Sequence, residues 1–255
     1  MTNQASVMKL LWQQIPSPTI TEIFCNTSFN GVVFDLEHGC FNNESLYACI
    51  QVGNLCGKES FIRVSHLDRQ VIRMALDANC SGVILSTVET QEEAQEFYDY
   101  CIYPYRKREA SFETDAQGVV RKKFLTKTGG SRGQGLVREN NWGARPLQFR
   151  KPLLIPQVET IKGVDNIAEI SQIDFDYYLI GPYDLSASLG HVGNFSSQQF
   201  LESLQKLKNA VGGKLGFHLP SEIKDQYDTY KDYPFLALGM DTIFLADACR
   251  RYEAI

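Results

Sequence analysis

The chain has 255 residues, 44% hydrophobic and 22% charged, ordinary values for a globular protein with enough length to bury one sizeable core. Its formal net charge of -5 offers no general attraction for nucleic acid or for an anionic membrane surface, so an anionic substrate must be held by a local site. No apolar segment approaches the roughly 18 residues needed to span a bilayer, and the opening MTNQASVMKL lacks the basic and apolar regions of a signal peptide, which predicts a soluble, cytoplasmic protein.

In chain order, short apolar runs alternate with longer segments of helical period. MKLLW (8–12) leads to TITEIFCNT, GVVFD (31–35) to NESLYACIQVGN, SFIRV (60–64) to LDRQVIRMALDAN and GVILS (82–86) to ETQEEAQEFYDYC. Farther on come PLLIPQV (152–158) with TIKGVDNIAEISQ, YYLIG (177–181) with SSQQFLESLQKLKNAV, KLGFH (214–218) with SEIKDQYDTYKDYPFLAL, and finally TIFLA (242–246). Eight such alternations predict an α/β fold, a (β/α)8 TIM barrel, as one domain over residues 1–255. The runs are almost wholly apolar, as parallel strands buried on both faces should be.

From Tyr103 to Arg150 the rhythm breaks. This stretch has no sustained period and carries the clusters Arg106, Lys107, Arg108 and Arg121, Lys122, Lys123. It is expected to be a long basic insert after strand four, near residues 106–128, at the catalytic rim, either as a solvated, partly disordered excursion or as a contact for an anionic substrate. The seven cysteines (25, 40, 49, 56, 80, 101 and 249) form an odd, scattered set without a CxxC pair, and are expected as reduced, mostly buried thiols.

Barrel active sites lie at the C-terminal ends of the strands, and ionisable residues follow the apolar runs there. Asp35, Glu37 and His38 end the second run, Arg63 lies near the end of the third, Gln157 and Glu159 close the fifth, and Asp184 follows the sixth in GPYDLS. Lys58, Lys151 and Lys214 precede their runs, which places them on the opposite face and leaves no lysine positioned for a Schiff base. Glu159 and Asp184 come from adjacent strands, and two carboxylates in one cavity repel unless a proton or cation lies between them. Oxygen-only ligation suits magnesium or manganese better than zinc. Asp35, three residues before His38, is expected to orient its imidazole as a base, and Arg63 to offer a fixed fork to a developing oxyanion. Each has a structural counter-reading: Glu159 as a helix N-terminal acid, Asp77 as a surface acid at a helix C-terminus. His66, His191 and His218 are read as structural, and Glu37, opposite His38 if the strand persists, is expected to brace the site or to take part in a subunit contact and is assigned no chemistry.

FDLEHG, FIRV, PQVET and IGPYDLSASLG, in this order, resemble the HpcH/HpaI family of metal-dependent 2-oxo-acid aldolases, over about residues 8–105 and 129–250. The resemblance implies a phosphoenolpyruvate/pyruvate-type barrel and a class II retro-aldol reaction between a 4-hydroxy-2-oxo acid, pyruvate and an aldehyde. A divalent cation (magnesium, manganese or cobalt) would chelate the pyruvate moiety and stabilise its enolate. It further implies Glu159 and Asp184 as metal ligands with Gln157 beside them, Arg63 at the enolate oxygen, and His38 as base with Asp35. Asp77 would come from a neighbouring subunit, the GGSRGQG turn with Gly133 and Gly135 would hold the pyruvate carboxylate, and Ser186 would join the substrate-binding set. Family members are homo-oligomers, a hexamer or trimer of dimers exchanging the last helix, which ADACRRYEAI would supply. Two departures stand out: the insert near 106–128, and Cys40 and Phe41 where the family commonly has a proline. Alternatives are an acyl-CoA lyase of the citrate-lyase or malyl-CoA type, disfavoured by the short chain; a phosphoenolpyruvate-handling enzyme; and a non-catalytic barrel used as a binding module, against which the joint presence of Asp35, His38, Arg63, Glu159 and Asp184 argues.

Overall fold

The computed structural model describes residues 7–114, 120–146, 151–219 and 223–253. Strands and helices alternate as β1 (Met8–Gln13), α1 (Pro18–Cys25), β2 (Gly31–Asp35), α2 (Asn43–Leu55), β3 (Glu59–Val64), α3 (Arg69–Asp77), β4 (Gly82–Leu85) and α4 (Gln91–Cys101). A hairpin of β5 (Tyr105–Thr114) and β6 (Val120–Gly129) follows, then a 3-10 turn (Arg138–Asn140). The chain resumes with β7 (Leu153–Val158), α5 (Ile161–Asp165), α6 (Ile167–Ile170), β8 (Tyr178–Ile180), α7 (Pro182–Ser188), α8 (Gln198–Val211), β9 (Leu215–Leu219), α9 (Ile223–Tyr230), β10 (Phe235–Met240) and α10 (Asp241–Glu253).

Eight of these strands close into a parallel barrel in the order β1-β10-β9-β8-β7-β4-β3-β2, the (β/α)8 architecture. The period-2 alternation of a strand divides each run between two cores. Leu10, Trp12, Val33, Phe61, Ile84, Ile155, Leu179, Phe235 and Ala237 fill the barrel, whereas their neighbours, such as Leu11, Val32, Phe34, Ile62, Val83 and Leu154, pack outward under the helices. Helix starts are marked by side-chain caps at the C-terminal side of the strands: Asn42 with Ser45 before α2, Asp68 before α3, Thr90 with Glu93 before α4, and Thr160 before α5. These caps fix where each loop at the mouth must end.

Two expectations are corrected. The eighth strand is not TIFLA (242–246) but Phe235–Met240, and Thr242–Ala246 lies inside α10. The segment expected as one helix through Leu238 ends as α9 at Tyr230, and its apolar end FLAL pairs with Met8–Leu11 of β1 and with β9. Propensity cannot separate two adjacent apolar pentads; burial does, since Phe235 to Leu238 are buried while Phe244 and Leu245 stay exposed in the helix.

The insert is neither structureless nor at the catalytic rim. Residues 105–114 and 120–129 pair in antiparallel register, Tyr105 opposite Gly129 and Thr114 opposite Val120. The hairpin springs from the end of α4, which has run back along the outside of the barrel, so it leaves from the N-terminal end of the strands. The side chains of its basic clusters lie outside the described residues. At the same end, Lys58 donates to the carbonyls of Thr27 and Phe29, Lys151 to that of Asp174, and Lys214 to that of Phe175. Of the cysteines, Cys25, Cys49, Cys80 and Cys101 are buried and Cys40, Cys56 and Cys249 exposed, and all are free thiols.

Candidate active site

The inward-facing residues at the C-terminal ends of β1, β2 and β3 are polar, and they form one network. Asp35, fully buried, accepts from Arg63 through both oxygens (Nε to Oδ1 2.9 Å, Nη2 to Oδ2 2.6 Å), from Trp12 Nε1 (3.1 Å) and from Gln14 Nε2 (3.0 Å). Its Oδ1 also takes the main-chain amides of Glu37 and His38, at 3.1 and 3.2 Å. Burial works to raise the Asp35 pKa, but the Arg63 fork, with Gln14 and Trp12, outweighs it and holds the value down at about 2. Arg63 reaches Glu37 as well (Nη1 to Oε2, 2.9 Å) and lies 4.9 Å from the Trp12 ring centroid.

Across the mouth, Glu159 at the end of β7 is 4% exposed. Its Oε1 accepts from the Thr87 amide (2.9 Å) and hydroxyl (2.7 Å), and its Oε2 from Gln157 Nε2. Thr87 holds φ at +52°, an unfavourable value for a β-branched residue and the kind of strain that functional sites retain. A methyl group on Gly181 would stand 2.3 Å from Glu159 Oε2 and 2.8 Å from Gln157 Nε2, so only glycine admits this pair. Burial pushes the Glu159 carboxyl upward; the Thr87 and Gln157 hydrogen bonds oppose this, and the charges of Asp184 and Glu37 reinforce it. Asp184, exposed in the first turn of α7, is thus electrostatically coupled to Glu159 across the β7–β8 edge. Gln157 Oε1 is buried without a partner. Among the described residues no three His, Cys, Asp or Glu side chains gather as a metal-binding group.

Comparison with known proteins fits this geometry. The profile of the HpcH/HpaI aldolase/citrate lyase family matches residues 9–243. The chain belongs to this family. It is similar to the hydroxypyruvate/pyruvate aldolase of Delftia acidovorans, 27% identical over 248 residues, 93% of this chain and 84% of that one. The 4-hydroxy-2-oxovalerate aldolase of Rhodococcus jostii is likewise 27% identical, over 92% and 86% of the two chains. The crystal structure of an HpcH/HpaI aldolase/citrate lyase family protein from Burkholderia cenocepacia superimposes with a TM-score of 0.80 at 20% identity, covering 99% of this chain and 95% of that chain, a likeness of fold.

Within the HpcH/HpaI barrel the expected site residues divide. Asp35, Arg63, Gln157 and Glu159 converge on the mouth, Asp184 acts on Glu159 from its rim, and His38 is exposed beside them. The contact of Asp35 with residue 38 is made to the main-chain amide, in place of the imidazole contact expected from the spacing. Asp77 precedes β4 while Thr87 follows it, so Asp77 stands at the opposite end of this chain's barrel, paired with Arg132 (3.1 Å) and Arg73 (3.7 Å). The turn holding Gly133 and Gly135 is there too, the amides of Gly130 and Ser131 being taken by Asp99 and that of Arg132 by Ile102. The Ser186 hydroxyl donates to the Tyr183 carbonyl and accepts the Gly193 amide, bracing its own loop. Glu37, expected to brace the site or to join a subunit contact, is tied to Arg63 and to Ser86 Oγ (2.6 Å), whereas sequence reasoning missed Thr87. Glu37 was legible in the crowding of charge in DLEHG; Thr87 left no signal, because its role is a backbone angle.

Proposed function

We propose that this chain is a divalent-cation-dependent carbon–carbon lyase that cleaves or forms a 4-hydroxy-2-oxo acid, exchanging it with pyruvate or a related 2-oxo acid and an aldehyde. The observation that supports it most is Glu159, a buried carboxylate facing Asp184, with Arg63 across the mouth already committed to Asp35 and Glu37. A carboxylate pair left without a countercharge, an unpartnered Gln157 Oε1 and an absent Cβ at Gly181 together suit a hard cation such as magnesium or manganese, held by Glu159 and Asp184. When bound, such an ion supplies Lewis-acid polarisation of the keto oxygen.

The chain's own groups account for the rest. Three of the five Arg63 N–H groups are engaged by Asp35 and Glu37, leaving one on each terminal nitrogen to meet the oxygen on which charge grows as the enolate forms. His38, held by its amide on Asp35 and open to solvent, takes the proton of the 4-hydroxyl as the C3–C4 bond breaks. The bonding pair passes to the enolate of the 2-oxo acid, the aldehyde leaves, and His38 returns the proton to C3. Asp77 and the GGSRGQG turn lie at the far end of this chain's barrel, and we propose that they serve the site of another subunit in a homo-oligomer.

The test is proton exchange at the pyruvate methyl group in deuterated water, followed by NMR, with magnesium, manganese or cobalt and then with chelator. Cation-dependent exchange that His38→Ala slows is the expected result; a chelator-insensitive rate, or none with any cation, refutes the reading.

A further inference from the structure

The structure assigns a role to His218 that its place in a strand conceals: we infer that its Nε2 hydrogen-bonds a hydroxyl group on the 2-oxo acid donor, so that it sets specificity for a hydroxylated donor such as hydroxypyruvate over pyruvate. The inference rests on the reading above that the barrel mouth at Arg63 binds a 2-oxo acid.

On β9, Leu215, Phe217 and Leu219 face outward into the helix-covered core, which turns Gly216 and His218 toward the barrel interior. The imidazole stacks on Trp12, centroids 4.1 Å apart and planes 19° from parallel. Trp12 in turn bonds Asp35 and lies under the Arg63 guanidinium. His218 is therefore part of the layer that floors the mouth, at 8% exposure. Its Nε2 has no hydrogen-bond partner, and among the described residues the other unpartnered buried side-chain atom on an inward-facing position at this end is Gln157 Oε1. Buried polar atoms without partners are uncommon, and two of them on inward-facing strand positions at one barrel mouth mark a place where a ligand's polar atoms complete the set.

The chemistry of the ring selects among ligands. Burial first, and the Arg63 charge next, press the His218 pKa down to about 3 against the pull of Asp35, so the ring is neutral and is neither a base nor a second cation. A neutral imidazole offers one donor or one acceptor at Nε2, according to tautomer, and a hydroxyl answers either. A methyl group answers neither and leaves Nε2 desolvated, and a further carboxylate finds no charge there.

The experiment compares C3 proton exchange of hydroxypyruvate and of pyruvate by the manganese-loaded protein in deuterated water, as the ratio of their kcat/KM values. In His218→Leu that ratio falls about tenfold or more, the size of discrimination expected when a site built for a hydroxyl loses its partner. His218→Gln, which keeps a donor and an acceptor, retains most of it; His218→Met replaces Leu should the Leu variant not fold. A ratio unchanged in the apolar variant, or equally lost in His218→Gln, overturns the assignment and leaves His218 as packing for Trp12. Exchange of neither acid by the unaltered protein overturns instead the reading of the site on which the assignment stands.

Discussion

The charged form of Glu159 is disfavoured by burial, by Asp184 and by Glu37, against the hydrogen bonds of Thr87 and Gln157 that favour it. The sign is that of an acid with a raised pKa: the protonated form favours the fold at low pH, and that contribution is lost as pH rises through the folded value. Replacing it with glutamine removes the charge while keeping an oxygen for the two Thr87 donors. The new amide can donate to Gln157 Oε1 once that side chain turns over, which keeps one hydrogen bond between the two side chains. Glu159→Gln is expected to raise the cation-free melting temperature at pH 7 by about 2–4 °C, on the scale of ~1 kcal/mol, while abolishing exchange; calorimetry checks it. Asp35 has the opposite sign. Its folded pKa of about 2 lies below the ordinary 3.8, so it contributes stability above about pH 4 that disappears as pH falls toward 2. Urea titrations at pH 5 and pH 2 should show the protein losing about 2 kcal/mol more than Asp35→Asn does.

At the scale of elements, the end of the chain is where apolar content and burial disagree. Phe235 begins the closing strand and is fully buried against Phe61, 5.7 Å between centroids, whereas Leu245 on α10 is 52% exposed. Phe235→Ala should therefore cost about 3–5 kcal/mol and Leu245→Ala no more than about 0.5, measured by chemical denaturation. Equal losses would mean that Thr242–Ala246 is the buried strand after all. The other seven barrel strands were legible because each is a short apolar run followed by a capped, periodic helix, and local chemistry and tertiary demand agree there. The helix α7 was hidden inside the GPYDLS motif. The hairpin was hidden because a two-stranded ribbon with charge on both strands lacks the hydrophobic alternation that announces one.

For the whole molecule, the acidic pair at the mouth predicts linkage between cation and fold. Manganese at about one hundred times its Kd should stabilise the protein by ~2.7 kcal/mol, and Asp184→Ala should lose that shift while keeping its cation-free melting temperature close to the parent's, since Asp184 is exposed. An Asp184→Ala protein stabilised as strongly as the parent would remove Asp184 from the cation site. The amino-acid sequence by itself determined the barrel, the family and the residues that crowd its mouth, because strand period, capping and the order of Asp35, Arg63, Gln157, Glu159 and Asp184 are local properties of the chain. Only the tertiary structure decided which of them meet. That Asp35 serves Arg63 and a loop amide, that Thr87 and Gly181 shape the seat of Glu159, that the basic hairpin leaves from the far end, and that a strand histidine with an unpartnered nitrogen stacks on Trp12 all depend on groups distant in sequence. Burial and the spatial sum of charges, which no stretch of sequence carries alone, set those outcomes.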